Sequence, residues 1–263
     1  MLLDFAMRLA IVLTVALPYA PAFADKTEPP PNTMAFTDES GRHFVPRGFV
    51  VVTEQGGTED TTYTRDDYRR MRRSGANFQV VRLTLGPLGG WPGNDPQQAY
   101  MEKVEHLVEL GKEMGFKTCF KLTVYYTAGF EWTALWKNAH NEQDFVVRAW
   151  ETIWERFKDE DTVFGYDLLN EPHKGELPDY RSCERDHLVP LYRRLIDTLR
   201  TIDSQKFTLV QPLLREDEDR PGHYNPFVAF QTPIEREGVV YAPHTYEGKA
   251  RSRAISAVQP HAV

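Results

Sequence analysis

The chain has 263 residues, 41% hydrophobic and 26% charged, ordinary for a globular protein long enough to bury one large core. Its net charge of −7 argues against a phosphate-binding surface, so no nucleic-acid partner is expected. Two cysteines, Cys119 and Cys183, lack zinc-site spacing and read as unpaired thiols, although export would permit a disulfide.

Residues 1–24 read as a signal peptide. The run "LAIVLTVALPYAPAFA" is apolar and ends in small residues at Ala22 and Ala24, while Pro18 and Pro21 interrupt it as a membrane anchor. Met7-Arg8 would be a cleaner start than Met1. Residues 25–34 form a Pro-rich linker, 35–248 the folded domain, and 249–263 an atypical tail rich in Arg, Ser, Ala and Val. No second apolar span follows, so the expectation is a secreted or periplasmic monomer with no membrane association after cleavage.

Short apolar runs then alternate with amphipathic stretches. Strands are expected over 47–52, 77–85, 116–124, 163–170, 206–212 and 238–246. Helices are expected from "TRDDYRRMRRSG" with a stop at Gly75, from Asp95 as N-cap with Pro96 in the first turn, and over 142–159 and 186–203. Strands separated by helices imply a parallel sheet with right-handed crossovers. No G-x-G-x-x-G follows the first strand and no Walker loop occurs, which disfavours nucleotide folds.

Polar residues collect at or near the C-terminal strand ends: Arg82, Asn170, Glu171, His244 and Tyr246. In a (β/α)8 TIM barrel that rim is catalytic. The α/β pattern here is an incomplete barrel of about six β/α units. A carboxyl at the end of a buried strand should be desolvated, its pKa raised, and Glu171 thereby suited to general acid catalysis. Adjacent strand residues point to opposite faces, so Asn170 and Glu171 share a site only if the strand bends there, which Pro172 permits. His244 and Tyr246, two apart, project from one face; the alternative is a buried structural pair. Arg82 needs a partner, either an active-site carboxylate or a structural one such as Asp167. Trp91, Trp132 and Trp136 follow the second and third strands, where aromatic faces could stack on sugar rings, though helical spacing makes at least one of the last two a packing residue. Trp150 and Trp154, four apart in a helix, read as packing.

Together "VVRLT", "GYDLLNEP" and "APHTY" resemble the family 5 glycoside hydrolases, over about residues 35–248. The resemblance implies a cofactor-free retaining double displacement on β-linked polysaccharide or oligosaccharide. Glu171 would be the acid/base, Asn170 the partner of the sugar 2-hydroxyl, and Arg82 the support of the nucleophile. His244 would contact substrate and Tyr246 would orient the nucleophile. The sequence departs from the family where a third-strand histidine belongs, because Tyr125 or Tyr126 stands there. It also lacks a seventh-strand nucleophilic glutamate. Glu247 is the nearest substitute, yet it follows Tyr246 on the opposite side of the strand. A truncated or frame-shifted product is therefore expected, with a silent glycan-binding remnant or an inactive fragment as alternatives to the hydrolase.

Overall fold

The computed structural model describes residue 36 and residues 43–55, 59–60, 62–91, 94–216, 224–225 and 230–244. Phe44–Gln259 form one compact unit; the other, Met1–His43 with Pro260–Val263, lies almost wholly outside the described residues. The expected signal peptide, linker and tail, together with Tyr246 and Glu247, also fall outside them.

Six strands form one sheet with neighbours in chain order: β1 (Gly48–Val52), β2 (Phe78–Thr84), β3 (Lys117–Thr123), β4 (Val163–Asp167), β5 (Phe207–Val210) and β6 (Val239–Tyr241). Every pairing in it is parallel. Between the strands run α1 (Arg65–Arg73), α2 (Gln98–Glu113), α3 (Trp132–Lys137), α4 (Glu142–Phe157), α5 (Tyr180–Cys183) and α6 (Val189–Ile202).

Register assigns the two faces, because paired residues point the same way. Val51, Val81, Phe120, Tyr166, Thr208 and Val239 form one row across the strands. That row meets helices: Phe120 lies 4.8 Å from Phe157, and Tyr166 lies 5.8 and 6.2 Å from Trp150 and Trp154 of α4. The two tryptophans stack at 5.7 Å and are fully buried, the packing role their spacing predicts. Each such side chain contributes roughly 1.5–3 kcal/mol through burial. The next row, Val52, Arg82, Lys121, Asp167, Leu209 and Val240, points to the opposite face. Three neighbouring strands thus put charges on it.

Local chemistry explains most boundaries. Thr64 caps α1 with a reciprocal box: Asp67 N–H donates to its hydroxyl, and Thr64 N–H donates to Asp67 at 2.8 Å. Gly75, at φ +92°, ends the turn after it. The start of α2 differs from expectation. Asp95 and Pro96 lie outside the helix and Gln97 is the N-cap. Gln97 N–H donates to Pro87 O at 2.9 Å, which ties this segment to the 3₁₀ turn Gly86–Leu88 and delays helix entry. Tyr180–Cys183 and a π turn, Glu184–Leu188, precede α6, so this helical stretch starts earlier and less regularly than expected. Cys119 and Cys183 are both free and buried.

Candidate active site

β4 stops at Asp167, three residues short of the expected end. The chain stays anchored beyond it: Leu168 N–H donates to Leu209 O at 3.0 Å on β5, and Asn170 N–H donates to Leu122 O at 2.8 Å on β3. This change of neighbour is followed by Glu171 at φ +51°, a left-handed backbone that costs a non-glycine residue roughly 1–2 kcal/mol. The bend lies at Glu171 itself, and it brings both side chains to one place.

That place is the hydroxyl of Tyr125. Asn170 Nδ2 donates to it at 2.7 Å, and it donates to Glu171 Oε2 at 3.3 Å. His244 Nδ1 meets Glu171 Oε1 at 2.8 Å. Of the two tyrosines open to the third-strand position, Tyr125 is therefore the one that reaches the carboxyl. Tyr126 is 38% exposed and lies 5.1 Å beneath the Arg82 guanidinium. Arg82 still acts on the cluster, since its charge lowers the Tyr125 pKa against burial and the Glu171 charge, which raise it.

Glu171 does not have the expected raised pKa. Burial pushes it up, but the hydrogen bond and charge of His244, the Tyr125 hydroxyl and the Lys121 charge together hold it below the usual carboxylate range. Strand-end burial alone was the wrong guide, because the side chain keeps 18% exposure and two hydrogen-bonding neighbours. The raised carboxyl is Asp167, four residues earlier. Burial takes it to about 7, against the Lys121 and His244 charges and the Gln211 hydrogen bond, with the Glu171 charge adding to the rise.

The aromatic residues divide. Trp136 is 2% exposed; it stacks on Trp132 at 5.5 Å and donates Nε1–H to His173 O at 2.8 Å. Its expected sugar-stacking role is corrected: both ring faces are in the core, and it supports the loop after Glu171. Trp132 and Trp91 are half-buried and meet Phe130 edge-on at 5.0 and 5.4 Å. Trp91 also meets Phe145 at 5.5 Å.

Two participants escaped the sequence reading. Gln211, just past β5, accepts from Glu171 N–H at 2.9 Å and donates to Asp167 Oδ2 at 2.7 Å. Lys121, 8% exposed, shares the charged row with Arg82 and Asp167. The strand-end rule that found Asn170 would have found Gln211 in "TLVQP", and parity with Tyr125 would have found Lys121. Among the described residues no cluster of three His, Cys, Asp or Glu could hold a metal ion.

Residues 38–260 match the family described as Cellulase (glycosyl hydrolase family 5). The chain belongs to this family. Endo-glycoceramidase II from Rhodococcus sp., in a cellobiose-like imidazole complex, superposes with TM-score 0.66 at 21% identity, over 86% of this chain and 63% of that one. Its lactosyl-enzyme intermediate gives 0.65 at 21%, over 85% and 62%. An endoglycoceramidase of Cyanea nozakii is 32% identical over 84 residues, 27% of this chain and 16% of that protein. The chain thus spans less than two thirds of the relatives it matches. The likeness confirms the fold: family 5 structures are (β/α)8 barrels, and the described sheet supplies six parallel strands of that architecture.

Proposed function

We propose that this chain carries the acid/base half of an exported, retaining glycoside hydrolase acting on β-glycosidic O-linkages, with Glu171 as the acid/base. The observation behind the reading is the Glu171 carboxyl, turned by its left-handed backbone between His244 and Tyr125 beside the C-terminal strand ends. In the first step protonated Glu171 gives its proton to the leaving oxygen while the C1–O bond breaks and a second carboxylate bonds to C1. In the second step the Glu171 carboxylate takes a proton from water, which displaces that carboxylate. Its lowered pKa suits the base step. A sugar that covers the carboxyl and engages His244 removes what lowers the pKa, leaving burial to raise it for the acid step.

Asn170, with its amide nitrogen beside the Tyr125 hydroxyl, contacts the sugar 2-hydroxyl; Arg82 and Tyr246 support the nucleophile; Trp91 and Trp132 offer aromatic faces to sugar rings. The nucleophile is not assigned to any residue of this chain. Both relatives named endoglycoceramidase favour a β-linked oligosaccharide borne on a lipid over a long glucan. Export rests on the apolar leader and its A-x-A site.

The test compares the purified chain with its Glu171→Gln variant on a fluorescent lactosylceramide and on cello-oligosaccharides. With formate added to stand in for the second carboxylate, headgroup release is expected from wild type and is lost at least about 10²-fold in the variant. Equal turnover by both would remove Glu171 from the mechanism. A second reading, glycan binding without hydrolysis, rests on the half-buried rings of Trp91 and Trp132. Calorimetric binding without turnover would select it.

A further inference from the structure

Gln211 is 2% exposed, and both its backbone groups and both its amide atoms are engaged. Its N–H donates to the Tyr192 hydroxyl at 3.2 Å, and that hydroxyl donates to its carbonyl at 2.9 Å. One fully buried phenol of α6 therefore fixes the Gln211 backbone. The orientation of the amide follows from its partners: the Glu171 N–H must meet oxygen, and the Asp167 carboxyl oxygen accepts from the NH2 group. Asp167 is 5% exposed and Gln211 is its hydrogen-bond anchor, since Oδ1 makes no hydrogen bond.

This bridge ends on the strained peptide. At φ +51° Glu171 occupies a region that only surrounding contacts can hold for a side chain with a Cβ. Rotation to negative φ would carry the Glu171 N–H off Gln211 and swing the carboxyl away from His244 and Tyr125. We propose that Gln211 is a positioning residue which, anchored on Asp167, holds the Glu171 peptide left-handed and thereby aims its carboxyl between His244 and Tyr125. The inference deepens the acid/base reading of Glu171, but its test does not depend on turnover.

Glu171 is surrounded by His244, Tyr125, Lys121 and Asp167, so its titration reports on the aim of the carboxyl. The carboxyl is followed by 13C NMR in the full chain, assigned by loss of its signal in Glu171→Gln. Gln211→Met, of similar volume, removes both side-chain bonds. It is expected to raise the Glu171 midpoint by about one pH unit or more, because burial remains while the lowering contacts are lost. The double variant Asp167→Asn with Gln211→Glu reverses the polarity of the bridge yet restores both bonds, and is expected to return the midpoint toward wild type. A folded Gln211→Met with unchanged Glu171 titration overturns the proposal. If Gln211→Met does not fold, the double variant decides: a wild-type midpoint supports the bridge, whereas an unfolded or still-shifted protein overturns it. Absence of formate-supported hydrolysis by wild type would remove the acid/base reading and leave this result standing.

Discussion

A single carboxyl at the sheet rim is pulled in two directions, and the outcome depends on one imidazole. His244 supplies both a hydrogen bond and charge to Glu171, so His244→Ala should raise the Glu171 midpoint in 13C titration and move upward the alkaline limb of kcat/KM, which Glu171 sets as the proton donor of the first step. The linkage sign follows. Because the folded pKa is depressed, Glu171 stabilises the fold above its ordinary value of 4.5, and this stabilisation is lost as pH falls through the folded value. Asp167 runs the other way. Its folded pKa, near 7 against 3.8, makes its contribution complete below 3.8 and progressively lost as pH rises toward 7. Asp167→Asn, which keeps an oxygen for Gln211, should therefore lose less stability than wild type between about pH 4 and 7, as measured by urea unfolding. Glu171, Asn170 and His244 were legible because strand ends in parallel sheets collect functional groups. The aim of Glu171 was not, since a left-handed backbone at a glutamate leaves no mark in composition or periodicity. Gln211 and Lys121 were passed over because each lies in an otherwise apolar run, where only face parity reveals what they meet.

At the scale of elements, the α1 cap and a close strand approach at Gly165 are points sensitive to small changes. Thr64→Ala removes the hydroxyl half of the capping box and should cost about 1 kcal/mol in chemical denaturation, without altering the site. Gly165 allows β4 and β5 to approach: a Cβ there would stand 2.4 Å from Phe207 O. Gly165→Ala should destabilise by roughly 1–3 kcal/mol. It should also move Asp167, two residues on, relative to Gln211, and so shift the Glu171 midpoint as Gln211→Met does. All six main strands and the longer helices were readable from their hydrophobic period. The misplaced boundaries have tertiary causes. Asp95 and Pro96 form a good local start signal, yet a bond from Gln97 to Pro87 outcompetes it. β4 was read too long because "DLLN" stays buried after its regular ladder ends.

At the scale of the molecule, the described sheet has β1 and β6 as its outer strands, with Phe49, Val50 and Tyr241 there 43%, 49% and 46% exposed. Outer strands with apolar, accessible side chains favour pairing between copies. The purified chain should therefore show concentration-dependent association by light scattering, reduced by Val50→Lys; an unchanged mass across a wide concentration range would count against this. The all-parallel order has a kinetic consequence as well. No ladder of the main sheet can close through a tight hairpin, and each contact such as Phe78 with Lys117, or Gly165 with Phe207, waits for a whole crossover to fold back. Refolding from urea should accordingly proceed in milliseconds to seconds rather than microseconds. The site would be completed late, because Glu171 is aimed only after β5 has docked and brought Gln211 beside it.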